Sequence, residues 1–313
     1  MRHRYLFFVL LLATTSHAGD AEIVGHTKFA LTSQAYPEQS LFRDLVGSNT
    51  LDLDGDLRLN FKTKADRWSF DVAYQLLALN GDSVELGRIV PGGTDLFFPG
   101  LPNDDRRLFN LTDVIDDNRK TVVLHRLDRL TVGYTSEKAV VRFGRQALSW
   151  GNGLFYAPMD LVNPFDPAAV DTEYKSGDDM LYLQYLRDNG HDVQGAYVVR
   201  RNSLSGNVES GQSTAALKYH GFAGETEYDL LVAENYSDAV LGIGIGKSVG
   251  GAVWRVELVA TQTDTDTTVQ LVTNFTYSWN WFDRNISGAI EYFYNGFGQE
   301  PGDYDPLGLA LSL

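Results

Sequence analysis

The stretch Leu51-Asp-Leu-Asp-Gly-Asp-Leu-Arg-Leu-Asn-Phe-Lys62 places an apolar residue or glycine at every odd position and a polar or charged residue at every even one. Successive side chains of a β-strand point to opposite faces, so a period of two marks a strand with one face in an apolar medium and the other in water. The next run obeys the same rule. Trp68, Phe70, Val72, Tyr74, Leu76 and Ala78 share one face, Ser69, Asp71, Ala73 and Gln75 the other, and Thr63–Asp66 between the runs is a tight hairpin turn.

The unit recurs, predicting thirteen strands near 23–35, 49–62, 67–79, 120–134, 139–150, 179–187, 192–201, 213–222, 226–235, 238–246, 252–263, 267–279 and 285–295. Many exceed the usual strand of about 5–6 residues and suit a tilted membrane crossing of about 9–11. The short links 63–66, 135–138, 188–191, 222–225, 247–251 and 280–284 are interleaved with longer ones at 36–48, 80–119, 150–178 and 202–212. Short turns on one side and long loops on the other are the asymmetry of an outer-membrane barrel. Trp68, Tyr134, Trp150, Tyr219 and Trp279 stand at strand ends, where interfacial girdles form.

The expected fold is therefore all-β, a transmembrane antiparallel up-and-down β-barrel. A secreted sandwich or solenoid is the alternative that such alternation also allows. Single-chain bacterial barrels have an even strand number; the alternating leucines of Leu307–Leu313 could begin a fourteenth strand. The expectation is 14 or more strands, with the sequence stopping short of the full barrel.

Arg2 and Arg4 precede an apolar stretch from Leu6 to Ala13, followed by Ser16-His17-Ala18. This is the layout of a secretory signal peptide over residues 1–18, leaving 19–313 as the barrel, with long external loops at 80–119 and 150–178. Removing it takes two arginines and no acids, moving the net charge from −15 to −17, which disfavours nucleic acid as a partner. With no cysteine there is no disulfide, thiolate metal site or lipoprotein anchor. The expected location is the outer membrane of a Gram-negative bacterium. The expected partners are outer-membrane lipid, the barrel-assembly machinery and small solutes.

The most distinctive segment runs Arg142-Phe-Gly-Arg-Gln-Ala-Leu-Ser-Trp-Gly-Asn-Gly153. It continues through Phe155 and Pro158-Met-Asp-Leu-Val-Asn-Pro-Phe-Asp-Pro167 to Asp171-Thr-Glu-Tyr174, Gly177 and Gln184-Tyr185. The ordered series G-R-Q, W-G, P-x-D-L-x-N-P-F, D-x-E-Y and Q-Y resembles that of a poorly characterised group of porin-like outer-membrane β-barrel proteins. The resemblance covers roughly residues 140–187 and implies a barrel without naming a substrate. Ala157 stands where that group's pattern has an Asn before the proline.

Prolines, glycines and acids make 151–178 a loop rather than a strand. Two arrangements are open: folded into the lumen as a constriction, or compact and external. In the first, Arg142, Arg145, Asp160, Asp166, Asp171 and Glu173 are constriction candidates, because opposed charges across a narrow pore select solutes. Other residues expected to face the lumen are Asp52, Asp54, Asp56, Arg58, Lys62, Asp71, Lys218, His220, Glu227, Asp229, Arg255, Glu257 and Glu291. For most, a solvated inner wall with cross-strand pairs is the plainer role. The glycines of Gly242–Gly246 are read as easing curvature, and Asp264–Thr267 as a solvated hairpin tip rather than a Ca²⁺ loop.

No cofactor, metal site or catalytic constellation is expected, since no motif sets Ser, His and Asp in a recognisable context. The expected function is a porin-like channel for passive uptake of small solutes. The alternative is an outer-membrane barrel without transport: a surface-recognition protein, a structural protein or a membrane-embedded hydrolase. A soluble extracellular enzyme would require a different fold.

Overall fold

A computed structural model describes residues 12–18, 21–89, 102–165 and 173–298. The strands are β1 (Leu12–Ala18), β2 (Ala21–Ala35), β3 (Asn49–Ala65), β4 (Trp68–Gly81), β5 (Thr112–Asn118), β6 (Thr121–Thr135), β7 (Ala139–Gln146) and β8 (Asp178–Leu186). They continue with β9 (Asp192–Val198), β10 (Thr214–Ala223), β11 (Thr226–Asn235), β12 (Asp238–Val249), β13 (Ala252–Gln262), β14 (Thr267–Trp281) and β15 (Arg284–Asn295). Two helices, α1 (Leu41–Val46) and α2 (Asp82–Ile89), lie in the links after β2 and β4. Fourteen strands follow one another in chain order in an up-and-down sheet, with β5 beside β6 off that path. Among the described residues no helix is long and apolar enough to cross a membrane.

All thirteen expected strands are present, and two more join them. Leu12–Ala18, inside the segment read as a leader, forms β1 and pairs from Ala18 opposite Ala21 to Leu12 opposite Thr27. Cleavage at Ala18 would remove β1 and leave that edge of β2 unpaired. The other addition, β5, alternates poorly, and its register on β6 shifts between Val114 and Asp116, so a period-two reading passes over it. The expected strand 139–150 stops at Gln146; the chain from Ala147 belongs to the following loop.

The turns explain the register. Gly250 and Gly251 both have positive φ, as a two-residue hairpin between right-twisted strands requires. Tyr236-Ser237 and Phe282-Asp283 adopt the same left-handed geometry with side chains that rarely tolerate it, held there by the ten-residue or longer ladders on either side.

Among the described residues the chain divides into two compact units, one holding those up to Asp104 with Phe109–Leu130, the other Asp105–Leu108 and those between 131 and 298. In the first, burial runs opposite to that of a soluble sheet. Leu51 and Leu53 are 56 % and 52 % exposed, whereas Asp52 is 7 % and Arg58 2 % exposed. Asp52 accepts hydrogen bonds from the N–H and Oγ of Ser83, both at 2.7 Å, tying the start of α2 to β3. Asp56 accepts one from Gln75 Nε2 at 2.9 Å, and Gln75 Oε1 accepts one from Arg126 Nε at 2.8 Å. Asp54 and Asp71 are half-buried on the same face. At the centre of this network Asp128, 2 % exposed, meets Arg58 at 2.7 Å, Arg129 at 2.6 Å and Arg126 at 3.3 Å.

The second unit repeats the inversion: Leu183, Leu217, Val232, Leu241, Ile243 and Leu258 are exposed, while Lys218, Asp229, Glu257 and Asn274 on the alternate positions are buried. Among the described residues an apolar cluster, including Trp150, Met159, Met180, Tyr182, Leu231 and Val259, also lies on the polar side, where a loop covers the sheet.

Substituting Asp128 strands three guanidinium groups without their shared carboxylate. Asp128→Ala is expected to destabilise the protein by about 3–5 kcal/mol, as breaking buried ion pairs does, whereas Leu51→Ala on the exposed face should leave detergent-solubilised stability within about 0.5 kcal/mol. Urea unfolding of the two variants checks this contrast.

Candidate functional site

The loop that leaves β7 at Ala147 and returns to β8 at Asp178 folds back over the polar face of the second unit. Polar groups on the sheet capture its backbone. Glu257 on β13, fully buried, accepts the N–H of Asn152 through Oε1 and the N–H of Met159 through Oε2 at 3.2 Å. Glu291 on β15 accepts three consecutive N–H groups, those of Leu154, Phe155 and Tyr156. A carboxylate gathering several backbone donors replaces the water those donors would otherwise lose on burial.

Side chains add to the attachment. Asn152 Nδ2 donates to Asp229 Oδ2 on β11 at 3.1 Å, and Asn274 Nδ2 on β14 donates to Asn152 O at 3.3 Å. The Tyr156 ring stacks on Phe293 with centroids 4.2 Å apart. Trp150 Nε1 donates to Gln194 Oε1 on β9 at 2.6 Å, and Lys218 Nζ on β10 donates to Trp150 O at 3.3 Å. The loop thus makes polar contact with β9, β10, β11, β13, β14 and β15. The described part of the loop lies on the polar face of the sheet.

The loop's shape depends on small residues. A side chain on Gly153 would collide with the Tyr156 carbonyl oxygen. On the sheet, β-carbons at Gly242 and Gly244 would stand 3.4 Å and 3.3 Å from Met159 Cγ and Sδ. These glycines, read from sequence as easing curvature, leave the space that Met159 fills, and Met159 is fully buried.

The sequence-derived constriction residues separate. Asp160 is buried and paired with Lys175 at 2.7 Å, and it accepts the Trp150 N–H at 3.2 Å. Burial pushes its carboxyl above the ordinary value, with Lys175 pulling the other way. Arg145 does not oppose Asp160. It is 1 % exposed and clasped by Asp179 of β8 at 2.9 Å. Between Arg142 and Arg145, Gly144 has a φ of 118°, so the strand's strict alternation does not carry through to Arg145. Arg142 instead lies over the Tyr182 ring, 4.3 Å from its centroid. Glu173 is exposed, and Asp166 and Asp171 lie outside the described residues. Trp150, expected in an interfacial girdle, is 4 % exposed within the polar face.

Several participants were not singled out from sequence. Asp178 pairs with Arg200 at 2.9 Å, and Arg200 donates to Thr214 Oγ1 at 2.6 Å. Asp229, Lys218 and His220, expected only as lumen charges, form one group: Asp229 Oδ1 lies 3.1 Å from Lys218 Nζ and 2.9 Å from His220 Nδ1. Among the described residues no group of His, Cys, Asp and Glu has the arrangement of a metal site. The sequence matches no family model and no curated protein.

Glu257 is the attachment point with the most to lose. Glu257→Ala leaves two loop N–H groups without their acceptor, a loss of about 2–6 kcal/mol if each orphaned donor carries about 1–3. Limited proteolysis is expected to cut the variant between Asn152 and Asn163 much faster than the parent; equal digestion would argue that the loop is held elsewhere.

Proposed function

We propose that this chain closes into a β-barrel in a bacterial outer membrane and admits small solutes passively, with the loop 147–177 narrowing its interior. The observation that carries the reading is the inverted burial. A sheet that exposes Leu53, Phe70, Leu183, Leu241 and Leu258 while burying Arg58, Asp128, Lys218 and Glu257 has its apolar face outside, which suits hydrocarbon around it and water within. Strands cross a membrane only when no edge is left unpaired in the lipid, which is why closure belongs to the proposal.

The loop supports the channel over a barrel without transport. Its attachments all run to the polar face, so in a closed barrel it lies in the lumen and reduces the cross-section, as a constriction does. The series resembling porin-like proteins falls on β7, this loop and β8, and several of its members are structural here: Arg145 holds Asp179, Trp150 holds Gln194, and Asp160 holds Lys175. The resemblance and the geometry thus point to the same segment. The leader and the outer-membrane address remain parts of the proposal that stand on the sequence.

Planar-bilayer recording tests it. The refolded protein is expected to give discrete conductance steps, and deletion of Leu154–Asn163 to raise their size. Absence of conductance from a protein with heat-modifiable gel mobility would reject the channel, and an unchanged step size in a correctly folded deletion would reject the constriction.

A further inference from the structure

Beside the loop tip, strand register aligns Glu227, Gly246, Arg255, Asn274 and Glu291 in one row across β11 to β15. The row differs from the rest of the polar face in how its charges are used. Arg145, Lys175, Arg200 and Lys218 each hold a carboxylate at 2.7–3.1 Å. Among the described residues Arg255 forms no ion pair, and neither does Glu227, although opposite charges stand on either side of a single strand.

What separates them is Gly246. Glu227 leans over it, its Oε2 3.5 Å from where a β-carbon would sit, and no side chain stands between the two charged residues in the row. The backbones of β11 and β13 are two strand spacings apart, roughly 10 Å, and Glu227 and Arg255 stand at the two ends of that interval in one register row. The next residue of the row supplies a further observation. Asn274, 1 % exposed, donates through Nδ2 to Asn152 O and to Glu291 Oε2, yet its Oδ1 has no donor. An unmatched buried acceptor next to Arg255 marks this part of the row as incompletely satisfied by the protein's own groups.

We propose that this row binds small zwitterionic solutes of the amino-acid type as they pass the loop. Arg255 takes the carboxylate through its forked N–H groups, and Glu227 takes the ammonium across Gly246. No covalent step is involved. The inference rests on the reading of this face as a pore interior for its route of access, but binding is measurable without current.

Calorimetric titration of the refolded full chain in detergent, with glycine, propionate and ethylamine as probes, tests it. Glycine is expected to bind more tightly than propionate, and propionate more tightly than ethylamine. Arg255→Gln should weaken glycine and propionate at least tenfold, with Arg255→Lys intermediate, because it keeps the charge and loses the fork. Glu227→Gln should weaken glycine and leave propionate no weaker. Unchanged heat-modifiable mobility certifies that each variant is folded. Failure of the parent to bind glycine, or equal glycine binding by Arg255→Gln, overturns the proposal. A protein that binds glycine and passes no current keeps the site and loses the channel, and one that conducts without binding glycine does the reverse.

Discussion

Charges gathered on one face of a sheet must be matched there, because an ion withdrawn from water without a partner is far more expensive than any single apolar contact is favourable. That requirement organises this chain. Asp128 is surrounded by three arginines in the first unit; Arg145, Lys175, Arg200 and Lys218 each meet an aspartate in the second. Pairing on this scale lets the strands turn their leucines and aromatics the other way, and the exposed apolar face follows from it. The hydrophobic effect, which usually selects the inner face of a sheet, here leaves the outer face without a protein partner.

The same accounting explains the loop. A segment without its own ladder must find partners for its backbone N–H groups, and burial makes that compulsory. Two carboxylates on neighbouring parts of the sheet, Glu257 and Glu291, accept five such groups between them. Glu257, Glu291 and Asp229, which a composition count reads as part of a negatively charged wall, are committed to holding a loop. Glycines at 242 and 244 complete the fit by making room for Met159. Sheet and loop are therefore one unit of design: the strands carry the acceptors and the vacancies, and the loop carries the donors and the methionine.

Much of this was legible in the chain and some was not, for identifiable reasons. Alternation over Leu51–Lys62 and Trp68–Leu79 located β3, β4 and their two faces, because a period of two survives any tertiary context. It did not locate β5, whose bulged register breaks the period, nor the end of β7 at Gln146, where the ladder yields to loop contacts. Arg145 and Asp160 were read as opposed charges because both are charged and near one loop, whereas their partners, Asp179 and Lys175, are chosen by register and by the loop's fold. Nothing local in Glu257 or Glu291 announces that they bind backbone more than a hundred residues away for Glu257 and Asn152.

The central claim is that the apolar face meets lipid and the charged face meets water. The absence of native cysteine makes single-cysteine spin labelling along β4 and β13 a direct test. In vesicles, labels at Val72, Tyr74, Val256 and Leu258 should be relaxed by oxygen dissolved in the bilayer. Labels at Asp71, Ala73 and Arg255 should respond instead to a water-soluble nickel reagent, so that accessibility alternates residue by residue. Labels that show no alternation, or that reach the aqueous reagent equally on both faces, would contradict the account.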